Sequence, residues 1–143
     1  MKEAALFIFL IISTVFDIKS RTVPAVIFAI SGAVGIMAYI ATGTYLSGGI
    51  VDELFGVILG AVFIGVALIS GGKLGMGDAL AILVIGIYLG GSGSALVVLY
   101  AMMITAAFSI VLLIIRRGNR DTALPFMPFL LAGCVLQQIG AIA

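Results

Sequence analysis

The stretch GMGDALAILVIGIYLG, residues 75–90, places one aspartate, Asp78, directly before an apolar run. A second stretch, ALFIFLIISTVFDIKSRTVP at residues 5–24, has Asp17 at the end of its apolar run. Carboxylates are costly in or beside a lipid bilayer, so they are rare there and usually functional. These two aspartates are therefore the first candidates for a functional site.

The composition of the whole chain indicates a membrane protein. Hydrophobic residues make up 64% of the 143 residues, charged residues make up 9%, and the mean hydropathy is +1.41. Long apolar runs of this kind are typical of membrane spans. We predict an all-α polytopic membrane protein with about six transmembrane helices in a single domain, residues 1–143.

The apolar runs give the approximate positions of these spans. They are 4–18, 24–41, 54–70, 78–89, 95–115 and 125–143. The first run resembles a signal peptide, but no cleavage site of small residues follows it, so we interpret it as a retained span. The segment GGSGS, residues 90–94, is predicted to be a loop between the fourth and fifth spans. The fourth span is too short to cross a bilayer of about 30 Å alone, so we expect it to begin below the membrane surface.

The basic residues predict the orientation of the spans. Six of the seven follow the first, third and fifth spans: Lys19, Arg21, Lys73, Arg116, Arg117 and Arg120. The loops after the second and fourth spans carry no Lys or Arg, and Lys2 is the one exception to the alternation. The positive-inside rule makes the basic side cytoplasmic and places both termini outside. Asp17 and Asp78 then lie at the same cytoplasmic face.

The residue types that are scarce or missing narrow the possible chemistry. The chain has no histidine, which excludes Ser–His and Cys–His nucleophiles and histidine metal sites. Its one cysteine, Cys134, lies in the last apolar run and is interpreted as a packing residue. No extensive basic patch indicates binding to nucleic acid. We expect no cofactor and no metal, and carboxylates are the acid–base groups that remain.

Three segments resemble the type IV prepilin peptidases, polytopic aspartyl proteases that include the archaeal preflagellin peptidases. The segments are DIKSRTVP at 17–24, GMGDALAILVIGIYLG at 75–90 and PFMPFLLAG at 125–133. In the family, the corresponding elements are an Asp followed by a basic stretch and Ile/Val-Pro, a GxGD motif, and Pro-Phe-x-Pro-Phe. Ala25 replaces the Asn of many members. The extra cytoplasmic methyltransferase region with paired cysteines is missing, so the chain resembles the short, peptidase-only members.

The resemblance implies a function and a set of site residues. Asp17 and Asp78 would be catalytic, and Pro24, Gly75, Gly77, Pro125 and Pro128 would contact the substrate. The activity would be removal of a short basic leader from prepilin-like or archaellin-like precursors at the cytoplasmic face of the cell membrane. Membrane lipids would assist docking of the precursor.

The chemistry of the residues agrees with this reading. Peptide hydrolysis needs a base that activates water and an acid that protonates the departing amine. Two close carboxylates that share one proton supply both. Gly75 and Gly77 would tolerate positive φ and let the cleaved segment lie against the loop beside Asp78.

Other interpretations of the same residues remain open. Taken alone, Asp78 is an ordinary helix N-cap, and Asp17 is a juxtamembrane residue near Lys19. A small proton-coupled transporter would use Asp17 and Asp78 as proton carriers, although both lie at one face and no inverted repeat is visible. A structural assembly subunit would leave the combination of GMGD and DIKSRTVP unexplained.

Overall fold

The computed structural model describes residues 2–20, 22–42, 49–71, 74–115 and 125–142, and this part of the chain contains five helices and no strand. The helices are α1 (Lys2–Ser20), α2 (Ala25–Thr42), α3 (Ile50–Ile69), α4 (Met76–Ile114) and α5 (Met127–Ile142). The predicted all-α class is confirmed. Five of the basic residues used for the topology, Arg21, Lys73, Arg116, Arg117 and Arg120, lie outside the described residues.

Two of the prolines mark the beginnings of helices. Pro24 directly precedes α2, and its carbonyl accepts a hydrogen bond of 3.0 Å from the Ile27 N–H. Pro128 is the second residue of α5. At that position a missing N–H removes no hydrogen bond within the helix, and the fixed φ of proline suits the first turn.

Three helices, α2, α3 and α4, are long and apolar enough to cross a membrane. The last helix, α5, is a shorter apolar helix. The first helix carries two charged residues near each end, Lys2 and Glu3 at the start and Asp17 and Lys19 at the end. Among the described residues the structure therefore gives three candidate spans by length and composition, where the sequence predicted about six.

The longest helix, α4, contains a break at Gly90. Its 39 residues are helical except at Gly90, where φ is 71° and ψ is −172°. This backbone region is essentially restricted to glycine. The predicted loop at residues 90–94 is therefore wrong in extent, because Gly91 to Ser94 are helical and a single residue interrupts the helix.

The break reverses the direction of the chain. A Cβ added at Gly77 would lie 3.9 Å from Met127 Cε, and the rings of Phe108 and Phe129 are 5.6 Å apart. A straight α-helix would separate Gly77 from Phe108 by about 47 Å. Since Met127 and Phe129 are only two residues apart in α5, α4 must consist of two antiparallel segments, 76–89 and 91–114.

Close backbone contacts hold α3 against the first segment of α4. A Cβ on Gly86 would lie 2.6 Å from the carbonyl carbon of Gly56, and a Cβ on Gly60 would lie 2.7 Å from Leu83 Cβ. Real Cβ atoms do not approach this closely, so these glycines allow the two helices to touch through their backbones. The contact fixes the position of the segment that begins near Asp78.

Asp52, at the start of α3, binds the second segment of α4. The Ser92 N–H donates a hydrogen bond of 3.0 Å to Asp52 Oδ1, and the Ser92 hydroxyl lies 3.3 Å from Oδ2. The first N–H groups of a helix have no partner within it, and an aspartate is a preferred cap for them. Asp52 therefore stabilises the point at which the helix resumes after Gly90.

The core lies between α1, α4 and α5. Its largest fully buried side chains include Leu6, Leu10, Ile82, Ile85, Met127 and Leu130. The second helix contributes much less, since its buried residues are Phe28 and Gly35. At the end of the bundle opposite Asp17, Lys2 Nζ lies 3.6 Å from Glu53 Oε1.

Candidate active site

Asp17 lies one turn before the end of α1 and is half-buried. Its Oδ2 accepts a hydrogen bond of 3.3 Å from the backbone N–H of Met127. Met127 is the first residue of α5, so its N–H has no acceptor within that helix. The carboxylate of Asp17 therefore caps α5 from a helix that lies 110 positions away in sequence.

Asp78 is the third residue of α4 and is also half-buried. Its backbone N–H donates to the carbonyl of Gly75 at 3.1 Å, and the N–H of Ala79 donates to the same carbonyl at 3.2 Å. Gly75 occupies the N-cap position. These bonds fix Asp78 in the first turn, where the helix dipole favours a negative charge.

The structure brings Asp17 and Asp78 together at one end of the bundle. They are near enough for the charge of Asp17 to act on the Asp78 carboxyl group. Gly77 links them through packing, because a Cβ there would be in ordinary contact with Phe28 and Met127, at 3.8 and 3.9 Å. Each carboxylate thus lies at the N-terminal end of a helix, Asp17 at α5 and Asp78 at α4.

The two glycines of GMGD do not have the backbone conformation that the sequence suggested. Gly75 is extended, with φ −65° and ψ 131°, and Gly77 lies within α4. The described glycines with positive φ are Gly71 and Gly90. Gly75 instead provides space, since a Cβ there would lie 2.9 Å from Asp78 Oδ2. The expectation of positive φ at Gly75 and Gly77 is therefore wrong, while their contact with a substrate stays a prediction.

The three prolines lie at the same end of the bundle as the aspartates. Pro125 and Pro128 flank Met127, whose N–H binds Asp17. Pro24 precedes α2, and Phe28 in the first turn of that helix contacts Phe9 at a ring distance of 5.8 Å. Pro24 is exposed, and the other two prolines are half-buried. Their position suits a role in shaping the site, and their contact with substrate stays a prediction.

Several residues of the site were missed by the sequence reasoning. The Met127 N–H and the Phe28 ring left no recognisable signal, because their roles depend on contacts between distant helices. Ser13 and Thr14 did leave a recognisable signal in the sequence, since they precede Asp17 by four and three residues and so lie on the same face of the helix. Both are buried, and neither hydroxyl has a hydrogen-bond partner among the described residues.

Cys134 lies away from the aspartate pair, within the core. Its side chain is fully buried, at 0% exposure. Gly133, the residue before it, lies against the second segment of α4, where a Cβ would be 3.1 Å from the Ala101 N. The position agrees with the interpretation of Cys134 as a packing residue.

Comparison with known protein families gives a match over most of the chain. Residues 4–110, which include Asp17 and the GMGD segment, match the type IV leader peptidase family. No curated protein and no solved structure matches the chain. The matched region covers well over half of the sequence and contains both aspartates.

Proposed function

The chain belongs to the type IV leader peptidase family, and from this premise we propose that it is a membrane-embedded aspartyl endopeptidase. Its substrates would be prepilin-like or archaellin-like precursors, from which it removes the short basic leader. The observation that carries the aspartyl mechanism is the meeting of Asp17 and Asp78 at the N-terminal ends of α5 and α4.

The reaction would use the pair in two protonation states. One carboxylate is ionised and takes a proton from water as the oxygen attacks the carbonyl carbon of the cleaved bond. The other is protonated and donates its proton to the developing oxyanion of the tetrahedral intermediate. When the intermediate collapses, one hydroxyl of its diol returns a proton to the ionised carboxylate, the carbon–nitrogen bond breaks, and the amine leaves with the proton of the other carboxylate. One water is consumed, and the pair returns to its original state.

The placement in the membrane also belongs to this proposal. With α4 counted as two segments, the chain would cross the membrane six times. The end that carries Asp17, Asp78 and Lys19 would face the cytoplasm, because that side carries most of the basic residues. A proton-coupled transporter is less well supported. Asp17 lies near the end of α1 and Asp78 near the beginning of α4, whereas a proton carrier would be expected midway along a span.

Co-expression with a precursor tests the proposed function. The chain should release the leader from a prepilin-like or archaellin-like precursor, detected by mass spectrometry of the precursor's new N-terminus. A chain with Asp17→Asn and Asp78→Asn should leave the precursor intact. Cleavage of equal extent by both would refute the aspartyl mechanism. Failure of the unmodified chain across pilin, pseudopilin and archaellin precursors would refute the peptidase function.

A further inference from the structure

An apolar groove runs between α2 and the first segment of α4. Its first part is a cavity of about 500 Å³. Ala25, Ala29, Gly32 and Ala33 of α2 form one wall, and Leu80 and Leu83 belong to the other. A second cavity of about 360 Å³ shares Ile36, Leu83 and Ile87 with the first and continues to Glu53 of α3. The two cavities therefore adjoin along α2 and α4, and we call them together the α2–α4 groove.

One end of the groove lies at the end of the bundle that carries the aspartate pair. Leu80 is two residues after Asp78, and Ala25 is the first residue after Pro24. Phe28 lines the groove and also lies against Gly77 in the GMGD segment. A chain segment in the groove would therefore begin at the end of the bundle that carries the two carboxylates and extend along the bundle away from it.

The lining of the groove selects an uncharged occupant. The first cavity is lined by Ala, Gly, Phe, Ile, Leu and Val side chains, with no charged or hydroxyl group. Glu53, at the far end, is already paired with Lys2 at 3.6 Å. A basic leader would find no counter-charge along this path, whereas an apolar helix would bury its side chains there.

The shape of the groove also suits a helix. The residues of α2 that line its first cavity follow one face, at positions 25, 28, 29, 32, 33 and 36. Small side chains on such a face allow a second helix to approach closely. From Ala25 to Tyr39 the wall is about 21 Å long, which corresponds to about fourteen residues of an α-helix.

We propose that the α2–α4 groove binds the apolar helical segment that follows the cleaved bond of the precursor. The proposal rests on the proposed peptidase function, which supplies a substrate with a basic leader before the bond, and the lining of the groove indicates that an apolar helix follows the bond. Bound in this way, the helix holds the bond at Asp17 and Asp78, and the leader leaves the site on the aqueous side.

Filling the groove should weaken cleavage of precursors that carry the apolar segment. Ala29→Phe and Ala33→Phe add a ring inside the groove. Val26→Phe is the matched control, because Val26 lies on the same helix, is 64% exposed and lines neither cavity of the groove. We expect kcat/KM for the full precursor to fall about tenfold or more in the groove variants. The control should retain the value of the unmodified chain.

A direct test uses disulfide formation with an uncleaved precursor. The chain carries Asp78→Asn to prevent cleavage and Cys134→Ser to remove the native thiol, with Ala33→Cys as the probe and Val26→Cys as the control. The precursor carries one cysteine, moved stepwise along its apolar segment. We expect disulfides from Ala33→Cys at precursor positions spaced three or four apart, and none from Val26→Cys.

The outcomes separate this proposal from the proposed function. Equal cleavage rates for Ala29→Phe, Val26→Phe and the unmodified chain, without disulfides to the precursor, would mean that lipid chains alone fill the groove. Disulfides only between two copies of Ala33→Cys would make it a self-association surface. Either result overturns the groove assignment while leaving the peptidase function intact, since the unmodified chain would still cleave.

Discussion

Asp17 accepts a hydrogen bond from the backbone N–H of Met127, so one carboxylate of the candidate site also caps the helix that completes the bundle. This bond ties the end of α1 to the beginning of α5. The side chain of Met127 is 1% exposed and lies near Gly77, one residue before Asp78. The capped helix end therefore positions the second carboxylate relative to the first.

Replacing either aspartate by asparagine should abolish cleavage while the protein still folds. An asparagine oxygen at position 17 can still accept the Met127 N–H, but an amide cannot take up or release the proton. We expect cleavage rates to fall by about 10²–10⁴-fold or more for Asp17→Asn and for Asp78→Asn. Initial rates on a cognate precursor, at matched expression, give the comparison.

The control for these variants is Asp52→Asn at the opposite end of the bundle. Its amide oxygen can still accept the Ser92 N–H that Asp52 binds at 3.0 Å. Cleavage by Asp52→Asn should stay close to that of the unmodified chain. Near-normal cleavage by Asp17→Asn or Asp78→Asn would remove that residue from the catalytic pair.

The two aspartates were predictable from sequence because charge is scarce in this chain. A carboxylate at the edge of an apolar run is costly near a membrane and is usually functional, and this chain has only a few such residues. The Asp17–Met127 bond was not predictable, because every residue except proline offers a backbone N–H and nothing local selects Met127. The sequence thus indicated the two side chains as candidates, while their mutual placement required the packed helices.

The reversal at Gly90 shows a second limit of the sequence. The glycines and serines of residues 90–94 are typical of a loop, and this suggested a break of five residues. The structure has one unusual backbone conformation, at Gly90, and a cap on the Ser92 N–H from Asp52, forty positions before Ser92 in the chain. A contact at that separation stabilises helical structure that local propensity disfavours.

Gly75 and Gly77 should respond differently to alanine. A Cβ at Gly75 would lie 2.9 Å from Asp78 Oδ2, so Gly75→Ala should displace the carboxylate and reduce kcat strongly. A Cβ at Gly77 meets Phe28 and Met127 only at ordinary contact distance, so Gly77→Ala should keep most of the activity. Cleavage rates of the two variants, with thermal midpoints in detergent, measure the difference. Equal activity would show that Asp78 has room to move.

The inhibitor profile should be that of an aspartyl enzyme. Cys134 is fully buried and the sequence contains no histidine, so serine-directed reagents, thiol-directed reagents and metal chelators should leave the activity unchanged. Cys134→Ser should cleave at the normal rate. Loss of activity in a chelator, restored by adding a divalent cation, would instead indicate carboxylates that bind a metal.

Cysteine labelling should place the two ends of the bundle on opposite sides of the membrane. Two single-cysteine variants are made in a Cys134→Ser background. Thr22→Cys lies just after α1, near the aspartates, and Ile50→Cys lies at the first residue of α3, at the opposite end of the bundle. A membrane-impermeant thiol reagent should reach position 22 only from the cytoplasm and position 50 only from outside. Labelling of both from one side would contradict the proposed orientation.

Gly90→Ala should disrupt both the fold and the activity. Alanine is strained at the φ of 71° found there, at a cost of about 1–3 kcal/mol, and its Cβ would collide with the Asp52 carboxylate. The second segment of α4 would then lose its cap. Because α5 packs on that segment through Gly133, the Met127 N–H would shift away from Asp17. We expect a lower thermal midpoint and slower cleavage, although both carboxylates are intact.

Gly65→Ala is the matched control for this variant. Gly65 lies within α3, and a Cβ there would have no atom within 4 Å. Alanine favours a helix over glycine by up to about 1 kcal/mol, so Gly65→Ala should keep or raise the thermal midpoint. It should also leave cleavage unchanged, because nothing contacts the added methyl group. If Gly90→Ala matched Gly65→Ala in both measurements, the reversal of α4 would not depend on the backbone freedom of Gly90.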